Sequence, residues 1–296
     1  MLLPKVIRYR WPTFVCRCIS RRLLPFGFGA GPTHRKFREG WKGGVPATFN
    51  EKVQYKLMND RRKLISVSAD KVAVRDYVQA KAPGLKLPKL LGVFDNEAEL
   101  MANVPPGPWA MKGAHGAGMV LISKPGETVA REEIRKAARE WLKTDYSVRY
   151  WEWQYHDLPK RVLFEEYLGN GTALPADYKF FVFHRKVRLI TVDQGRFGVH
   201  TRDLFYPDWT HLPSRKGAAK MSAVPPPRPA ALERMIAVAE TLGQDTDFVR
   251  VDLYLLGDEI YFGELTHSPA AGRVPFEDAK LEQELGSYWT LPERYR

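Results

Sequence analysis

The chain has 296 residues, with 46 Lys and Arg against 34 Asp and Glu and a hydrophobic fraction of 44%. At ~100–200 residues per domain, this length suits one large domain or two smaller ones, and the composition excludes wholesale disorder and collagen-like repeats. No stretch reaches the ~18–20 uncharged apolar residues of a membrane span. The two cysteines, Cys16 and Cys18, are too few for a disulfide framework or a zinc site, and we expect a reducing, cytoplasmic compartment.

The positive charge is concentrated at the amino terminus. Residues 1–45 hold ten basic residues and one acid, which is +9 of the net charge of +12. Arginines interrupt every apolar run that could form the core of a signal peptide, so we do not expect secretion. We interpret residues 1–48 as a basic arm that contacts an anionic polymer or an anionic membrane surface, on the inner face. The alternative is a solvated extension.

The predicted elements of the body follow from about Phe49. Apolar spacing predicts helices over 70–81, 128–143 and 230–242. Runs of β-branched and aromatic residues predict strands over 87–94, 109–112, 119–123, 161–168, 178–184, 187–193, 248–256 and 260–265. We interpret residues 214–229, which include three consecutive prolines, as a mobile connector. Hairpins without a regular strand–helix–strand series indicate an α+β fold.

A glycine-rich loop follows the predicted strand that ends at Lys112. Residues 113–118 contain three glycines, which let backbone amides approach phosphate oxygens, and Lys112 supplies a cation. The loop lacks the Gly-Lys-Ser/Thr of a Walker motif, and no helix follows it as in a dinucleotide fingerprint. From these residues alone, a phosphate-binding loop and a plain hairpin turn are both open.

Two carboxylates lie on the last predicted hairpin. Arg250 and Asp252 share one face of their strand, because successive side chains alternate. A three-residue loop at 257–259 would pair Asp252 with Glu264, whereas a two-residue turn would place them on opposite faces. We expect the three-residue loop, since adjacent carboxylates are good oxygen ligands for Mg²⁺. The alternative is an ordinary, half-solvated hairpin.

A flexible link follows the strand that ends near residues 165–168. Residues 169–171 contain two glycines and lead to the strand that begins near Asp177. Such a link suits a hinge between two lobes, where backbone groups can bind an adenine edge and a carboxylate can bind ribose hydroxyls. Taken singly, the carboxylates of Glu165 and Glu166 are better explained as surface residues.

Taken in order, these segments resemble the ATP-grasp superfamily and, within it, the TupA-like branch of amidoligases. The resemblance runs from about residue 49 to residue 276 and rests on eight motifs that are weak singly but specific in this order. They are Phe49-Asn50-Glu51-Lys52, Ala69-Asp70-Lys71, Lys112 with His115-Gly116-Ala117-Gly118, Glu152-Trp153-Gln154-Tyr155, Glu165-Glu166-Tyr167-Leu168, Asp177-Tyr178-Lys179-Phe180-Phe181, Arg250-Val251-Asp252-Leu253-Tyr254 and Phe262-Gly263-Glu264-Leu265-Thr266.

This resemblance implies a two-lobed α+β fold whose antiparallel sheets clasp ATP. It implies an ATP-dependent ligase that joins a carboxylate to an amine through an acylphosphate, on a sugar acid or amino acid in cell-surface polysaccharide assembly. Lys112 would contact the ATP phosphates, and Arg250 would steady the reacting phosphoryl group. The implied nucleotide-binding residues are Lys112, His115, Gly116, Gly118, Glu165, Glu166, Tyr167, Leu168, Asp177 and Lys179, and the implied Mg²⁺ ligands are Asp252, Glu264 and Thr266.

The sequence departs from the superfamily pattern at two places. Thr266 stands where many ATP-grasp enzymes have an asparagine metal ligand, and residues 269–272 have alanines where relatives often have glycine and serine. Within the implied fold we expect five segments. They are a basic arm over 1–48, a substrate-side subdomain over 49–105, a lobe with the glycine-rich loop over 106–168, a lobe with the metal site over 169–280 and a carboxyl-terminal tail over 281–296.

Two other functions compete with the ligase. A kinase-like phosphotransferase would use the same nucleotide site with a hydroxyl acceptor. A basic binding module for nucleic acid or anionic glycan would have a degenerate nucleotide site. The module is disfavoured, and nucleic acid with it, because the positive charge lies in the arm and away from the motifs. Reaction products separate the three: an amide with ADP and phosphate, a phosphoester, or polymer binding without ATP turnover.

We expect residues 1–45 to bind anionic vesicles in a salt-sensitive way. Each basic residue near an anionic surface contributes ~1 kcal/mol, within a Debye length of ~8 Å at physiological salt. Co-sedimentation with anionic and neutral vesicles, at low and high salt, should separate the full chain from a variant without residues 1–45. Equal binding of the two proteins would refute the membrane role.

Overall fold

The computed structural model describes residues 44–150, 152–169, 171, 174–195 and 198–295. The predicted basic arm lies outside the described residues up to residue 43. The α-helices are α1 Phe49–Asn59, α2 Lys63–Ala69, α3 Val74–Lys81, α4 Glu97–Ala102, α5 Arg131–Lys143, α6 Tyr146–Tyr150, α7 Leu232–Leu242 and α8 Ala279–Ser287. The strands are β1 Leu90–Phe94, β2 Trp109–Gly113, β3 Val120–Ser123, β4 Val162–Glu166, β5 Asp177–Phe183, β6 Lys186–Gln194, β7 Thr201–Phe205, β8 His211–Leu212, β9 Phe248–Leu256 and β10 Glu259–Thr266.

The smaller sheet has four antiparallel strands in the order β1-β4-β2-β3. Alternation along β2 buries Trp109 and Met111 on one face, where they pack with Phe164 of β4 and Ile134 of α5. The next residue, Lys112, points to the opposite face of the sheet. The apolar side of this sheet is therefore covered by a helix, and its polar side is left for charged groups.

The larger sheet has six antiparallel strands in the order β10-β9-β5-β6-β7-β8. Its first face carries apolar residues such as Phe180 and Val251, which pack against α3 and α7. Its second face is divided along the strands. Phe181 and Phe183 lie at one end of β5 in an aromatic cluster, and Lys179, on the same face, lies towards the other end.

The aromatic cluster anchors both ends of the described chain. Phe49, at the start of α1, contacts the rings of Phe181 and Phe248 with centroid separations of 5.7 and 5.2 Å. Thr48 caps α1 by accepting from the Glu51 N–H, while the Glu51 carboxylate accepts from the Thr48 N–H at 2.9 Å. The cap explains why the body begins where the sequence predicted it would.

The hairpin of β9 and β10 has the predicted pairing of Asp252 with Glu264, but its turn differs from the prediction. Leu256 pairs with Glu259, so the turn has two residues and the predicted three-residue loop is wrong. A β-bulge at Gly263 then shifts the register by one residue, and Glu264 pairs directly with Asp252. The prediction that these carboxylates share one face of the hairpin is confirmed, because the bulge compensates for the shorter turn.

Most predicted strands are confirmed within a few residues, and two predicted segments differ. The helix expected over 70–81 begins only at Val74, because the Asp70 carboxylate accepts the N–H groups of Val72 and Ala73 and holds a turn there. The connector over 214–229 is tied to the sheet region rather than loose. Lys220 pairs with Thr201 of β7 in an isolated bridge, and Lys216 pairs with Phe276 in another.

The predicted carboxyl-terminal tail over 281–296 is part of the body. The boundary at residue 280 falls inside α8, whose first turn is capped by the Asp278 carboxylate. Trp289 is fully buried in the aromatic cluster, and its indole N–H donates to Asp247 at 2.7 Å. Residues after the helix are therefore needed to complete the core.

Residues 49–105 likewise do not form a separate substrate-side subdomain. Helix α1 packs against α8 and the aromatic cluster of the larger sheet, whereas β1 is an edge strand of the smaller sheet. The segment therefore divides between two sheets. Among the described residues, no helix combines the length and apolar character that a membrane crossing requires.

Substitution of Gly263 by alanine should destabilise the protein. An added Cβ would lie 2.9 Å from the Asp252 carbonyl oxygen, so the backbone of the bulge must shift. Overpacking of this kind typically lowers the free energy of unfolding by ~1–3 kcal/mol. Chemical denaturation measures the change, with Gly84→Ala as the control because its added Cβ meets nothing within 4 Å. Equal stability of the two variants would contradict the bulge.

Trp289→Ala should lower the free energy of unfolding by ~3–5 kcal/mol, as expected for the loss of a buried tryptophan. The substitution opens a cavity beside Phe49 and Phe248 and removes a hydrogen bond from Asp247. Val224→Ala is the control, since Val224 is 80% exposed and should change stability by less than ~0.5 kcal/mol. A variant as stable as this control would show that residues after α8 are dispensable.

Candidate active site

Adjacent strands of the larger sheet bring charged side chains into one row. Glu264, Asp252 and Lys179 are cross-strand neighbours on β10, β9 and β5. The Lys179 ammonium lies 2.7 Å from Asp252 and 2.5 Å from Asp177. The Arg250 guanidinium donates to both Asp252 oxygens, at 2.6 and 2.7 Å. Since a buried charge without a partner costs several kcal/mol, these groups hold one another in place.

Asp193 of β6 is the cross-strand neighbour of Asp177 and approaches Lys179 from the next strand. Its carboxylate lies 3.8 Å from the Lys179 ammonium and accepts two hydrogen bonds from Arg202, at 2.6 and 2.9 Å. Burial alone would raise the pKa of Asp193, but hydrogen bonds from His200 and Arg202 outweigh it and hold that pKa well below its usual range. Asp193 therefore stays charged and attracts Lys179 from the opposite side to Asp252.

Lys112 occupies the polar face of the smaller sheet. Its ammonium lies 2.5 Å from Glu165 of β4, and Arg75 of α3 approaches the other Glu165 oxygen at 3.1 Å. The side chain of Glu165 is 7% exposed, whereas that of Lys112 is 22% exposed. Lys112 can therefore turn to an incoming anion while Arg75 still neutralises Glu165.

Lys71 connects the two charged regions. Its backbone N–H and its ammonium both donate to carbonyls of the glycine-rich loop, the ammonium to that of Gly116. Burial lowers the pKa of Lys71, an effect opposed by the negative charges of Glu264 and Glu165 and reinforced by Lys112. Lys71 therefore ties the segment after α2 to the glycine-rich loop, and its charge responds to acids of both sheets.

The glycines of the loop allow close packing and a turn. A Cβ at Gly116 would lie 2.6 Å from the ring of Tyr146, so a larger residue would push the loop away from α6. Gly118 has a φ of +72° with open space around it, which suits the turn into β3. The two glycines therefore serve the packing and the turn of this loop, and phosphate binding stays a prediction.

His115 does not fit its predicted role in nucleotide binding. The side chain is 2% exposed, its Nε2 lies 3.0 Å from the Trp141 carbonyl, and its Nδ1 accepts from the Arg161 N–H at 3.3 Å. Burial lowers the pKa of His115, so the ring is neutral with one donor and one acceptor. Both nitrogens are then used by the backbone, and His115 instead holds the base of the loop.

The predicted hinge joins the two sheets. β4 ends at Glu166 in the smaller sheet, and β5 begins at Asp177 in the larger one. The Glu166 carboxylate accepts from the Lys89 N–H at 2.8 Å. Tyr167 and Leu168 are partly buried, and the Tyr167 hydroxyl donates to a carbonyl of the joining segment at 3.0 Å. The position agrees with a hinge, and contacts with adenine stay a prediction.

The predicted metal ligands fit Mg²⁺ only together with a phosphate group. Within the part of the chain that the structure describes, no group of three His, Cys, Asp or Glu side chains is arranged to hold a metal. Asp252 and Glu264 face each other, and the Glu264 side chain is 40% exposed. Mg²⁺ is commonly held by one or two carboxylates, with phosphate oxygens and water completing the octahedron. The Thr266 hydroxyl already accepts from Arg250, at 3.0 Å.

A further polar group lies beside Glu264. The Gln154 amide nitrogen donates to the Ser268 hydroxyl at 2.8 Å and to the Glu152 carboxylate at 3.1 Å. Gln154 is 5% exposed, and its Oε1 has no hydrogen-bond partner. Gln154 and Glu264 line the same small cavity. Burial raises the pKa of Glu152 to about 7; the charge of Glu264 also raises it, and Gln154 lowers it.

The backbone beyond Ser268 is strained. Ala270 and Ala271 have φ values of 51° and 50°, in the left-handed region that favours glycine. Each such alanine costs roughly 1 kcal/mol relative to an unstrained position. Hydrogen bonds hold the segment, because Gln54 of α1 donates to the Gly272 carbonyl at 2.8 Å and Asn50 donates to the Val274 carbonyl at 3.1 Å. The alanines found at residues 269–272 therefore keep a turn that glycine would adopt more easily.

No role for Lys71, Asp193 or Gln154 is predicted from the sequence. Lys71 and Gln154 lie within two of the eight motifs, so a signal existed, but their partners are distant in the chain. Asp193 is the lone acid of β6, and only the pairing of β5 with β6, which sets it opposite Asp177, brings it near Lys179.

Comparison with solved structures finds similarities at low identity, with TM-scores below 0.5. The D-alanine–D-alanine ligase of Helicobacter pylori is 17% identical with a TM-score of 0.46, over 83% of this chain and 69% of that one. The ligase of the same name from Bacillus anthracis, complexed with ATP, is 14% identical with a TM-score of 0.40, over 69% and 56%. N5-carboxyaminoimidazole synthase of Aspergillus clavatus is 12% identical with a TM-score of 0.41, over 71% and 46%. The chain thus spans about half the length of the last two.

Comparison with protein-family models identifies the family of the chain. A search of curated proteins finds no match. The model of the TupA-like ATP-grasp family matches residues 51–290, which is most of the chain and includes both sheets. The predicted α+β ATP-grasp fold with antiparallel sheets is confirmed by this match and by the strand pairing. The chain belongs to the TupA-like ATP-grasp family.

Proposed function

We propose that this protein is an ATP-dependent ligase that joins a carboxylate to an amine. The observation that carries the proposal is the pairing of two facing carboxylates, Asp252 and Glu264, in a fold whose other sheet carries Lys112 beside a glycine-rich loop. Cations and amides on one side, with two facing carboxylates on the other, suit a nucleotide whose phosphates also bind Mg²⁺. Membership of the family supports ATP as the nucleotide.

The reaction runs in two steps. A carboxylate oxygen of the first substrate attacks the γ-phosphorus of ATP, and ADP leaves, which gives an acylphosphate. The amine of the second substrate then attacks the acyl carbon, phosphate leaves, and one proton is released as the amide forms. The activation step needs charge neutralisation and positioning more than covalent help from side chains.

Different residues of the site have separate roles in the activation step. Lys112 leaves Glu165 to neutralise the phosphates, while Arg75 keeps Glu165 paired. Arg250 is aimed by its two bonds to Asp252 and steadies the phosphoryl group as charge develops there. Mg²⁺ bound by Asp252 and Glu264 would supply further positive charge at the phosphates.

The resemblance found in the sequence supports a sugar acid or an amino acid as the carboxylate, within cell-surface polysaccharide assembly. The residues over 106–168 and 169–280 would then be the two lobes that enclose ATP, with the amino-terminal arm near an anionic surface. We place the reaction in the cytoplasm, where ATP is available.

Product analysis tests the proposal. Sugar acids and amino acids are screened as carboxylates against candidate amines for release of ADP, and the products are identified by mass. An amide with ADP and phosphate supports the ligase. A phosphoester would instead show a kinase-like phosphotransferase, and polymer binding without ATP turnover would show a binding module.

Lys112→Ala should lower turnover by ~10²-fold or more, in the range observed for loss of one electrostatic stabiliser of a transition state. The fold should persist, because Arg75 continues to neutralise Glu165. Turnover and melting temperature are measured for this variant and for Lys136→Ala, which removes an exposed lysine of α5 as a control. Turnover equal to that of the control would remove Lys112 from the site.

A further inference from the structure

We propose that an open cavity at the far end of the larger sheet, around Arg185, binds a phosphate monoester whose organic part carries hydroxyl groups. The cavity has a volume of about 350 Å³, which is within the ~300–1,000 Å³ of small-molecule sites. All of its lining residues are polar or charged. The inference concerns a second ligand site and does not depend on the proposed ligase activity.

The cavity lies at the opposite end of the strands from the charged row. Residues 184 and 185 follow Phe183, the last residue of β5, and residues 244–247 precede Phe248, the first residue of β9. Lys179 of the charged row lies four residues before Phe183, which is ~13 Å along a strand. A ligand in this cavity is therefore outside the candidate nucleotide site.

One wall of the cavity is a strained turn. His184 and Arg185 form the two-residue turn between β5 and β6, with φ values of 45° and 69°, where Asn-Gly is preferred. The His184 N–H donates to the Asp247 carbonyl at 2.9 Å, and its Nε2 accepts from the Thr290 N–H at 3.0 Å, so His184 holds the turn. Arg185 is exposed and has no hydrogen bond or ion pair with any residue that the structure describes. Strain of this kind is found mostly at functional sites.

Three groups of the wall have N–H donors that are free of partners among the described residues. Because Nε2 of His184 accepts a hydrogen bond, the neutral ring carries its proton on Nδ1. Arg62 donates through Nε and Nη2 to Asp60 and Asp247, which leaves its Nη1. Arg185 has its whole guanidinium. Donors from three side chains suit the three terminal oxygens of a phosphate monoester better than the two oxygens of a carboxylate.

The acids near the cavity are already neutralised. A buried network balances two cations against two acids, at 2.6 to 3.0 Å, namely Lys56, Arg62, Asp60 and Asp247. The Asp245 carboxylate lies 2.7 Å from the Lys81 ammonium. The charge of Arg185 is therefore the one in excess within this described part of the chain, and it favours an anion.

The rest of the lining indicates what the anion is attached to. Asp245 is 41% exposed, and Gln244 and Thr246 also line the cavity. These side chains supply carboxylate, amide and hydroxyl oxygens, which accept hydrogen bonds from hydroxyl groups. Since the lining contains no apolar side chain, a hydroxylated organic part fits better than a lipid chain.

The test is the binding of D-ribose 5-phosphate to the full chain without ATP, measured by calorimetry and by the rise in melting temperature. Arg185→Gln should raise the Kd about 10-fold or more, through the loss of charge-assisted hydrogen bonds. Arg185→Lys should raise it less, because lysine keeps the charge without the guanidinium fork. Neither change should lower the melting temperature of the free protein. Arg234→Gln is the matched control, since it removes an arginine that is 60% exposed beside the β9–β10 turn, and it should bind as wild type does.

Several results would overturn the inference. One is wild-type protein that does not bind D-ribose 5-phosphate, and another is an equal Kd for wild type and Arg185→Gln. Binding that Lys112→Ala abolishes and Arg185→Gln leaves intact would place the ligand in the candidate nucleotide site. Tighter binding of D-ribonate would replace the phosphate by a carboxylate, and equal binding of D-ribose would remove the anion altogether. The product screen decides the ligase activity separately.

Discussion

The structure depends on the pairing of one buried lysine with the acids around it. Lys179 lies in the middle strand of the larger sheet, within 2.7 Å of Asp177 and Asp252 and 3.8 Å from Asp193. Carboxylates with so little exposure cannot stay charged unless cations neutralise them. Lys179 and Arg250 supply that charge, and they fix the direction of Asp252 at the same time. The pairing that keeps these charges buried therefore also fixes the Asp252 carboxylate opposite Glu264.

The second face of the larger sheet carries aromatic side chains towards one end of its strands and charged side chains towards the other. Aromatic residues at one end, around Phe49 and Trp289, supply apolar burial from both ends of the described chain. The charged row at the other end adds little to stability, since burial of charge gives little net gain even when the charges are paired. A sheet with alternating side chains can carry both groups, because one strand carries Phe181 and Lys179 on the same face two residues apart.

Interactions between distant segments then assemble the site. Lys71 holds the glycine-rich loop of the smaller sheet while its charge interacts with Glu264 of the larger one. Gln154 similarly links Glu152 to Ser268, which lies 114 residues further along the chain. Each of these side chains has partners on more than one element. Movement of either sheet relative to Lys71 would therefore change the spacing between Lys112 and the carboxylates.

The sequence by itself determined the family, the class of fold and the strands that carry Lys112, Asp252 and Glu264. These features depend on local patterns, namely alternation along a strand, apolar spacing along a helix and the order of short motifs. The sequence also indicated that Asp252 would face Glu264. That prediction assumed a three-residue turn, whereas the turn has two residues and is followed by a bulge.

Only the tertiary structure decided where the strand bulges and which polar and aromatic side chains are buried. These features depend on contacts between residues far apart in the chain. The bulge at Gly263 depends on close approach to the Asp252 backbone, and no local pattern distinguishes it from a regular strand. The burial of His115 against backbone groups, and of Trp289 in the core, follows from packing of elements that the sequence presents as a loop and a tail. Local propensities specify how a segment folds, whereas the partner that a buried polar atom finds is set by which segments the whole chain brings together.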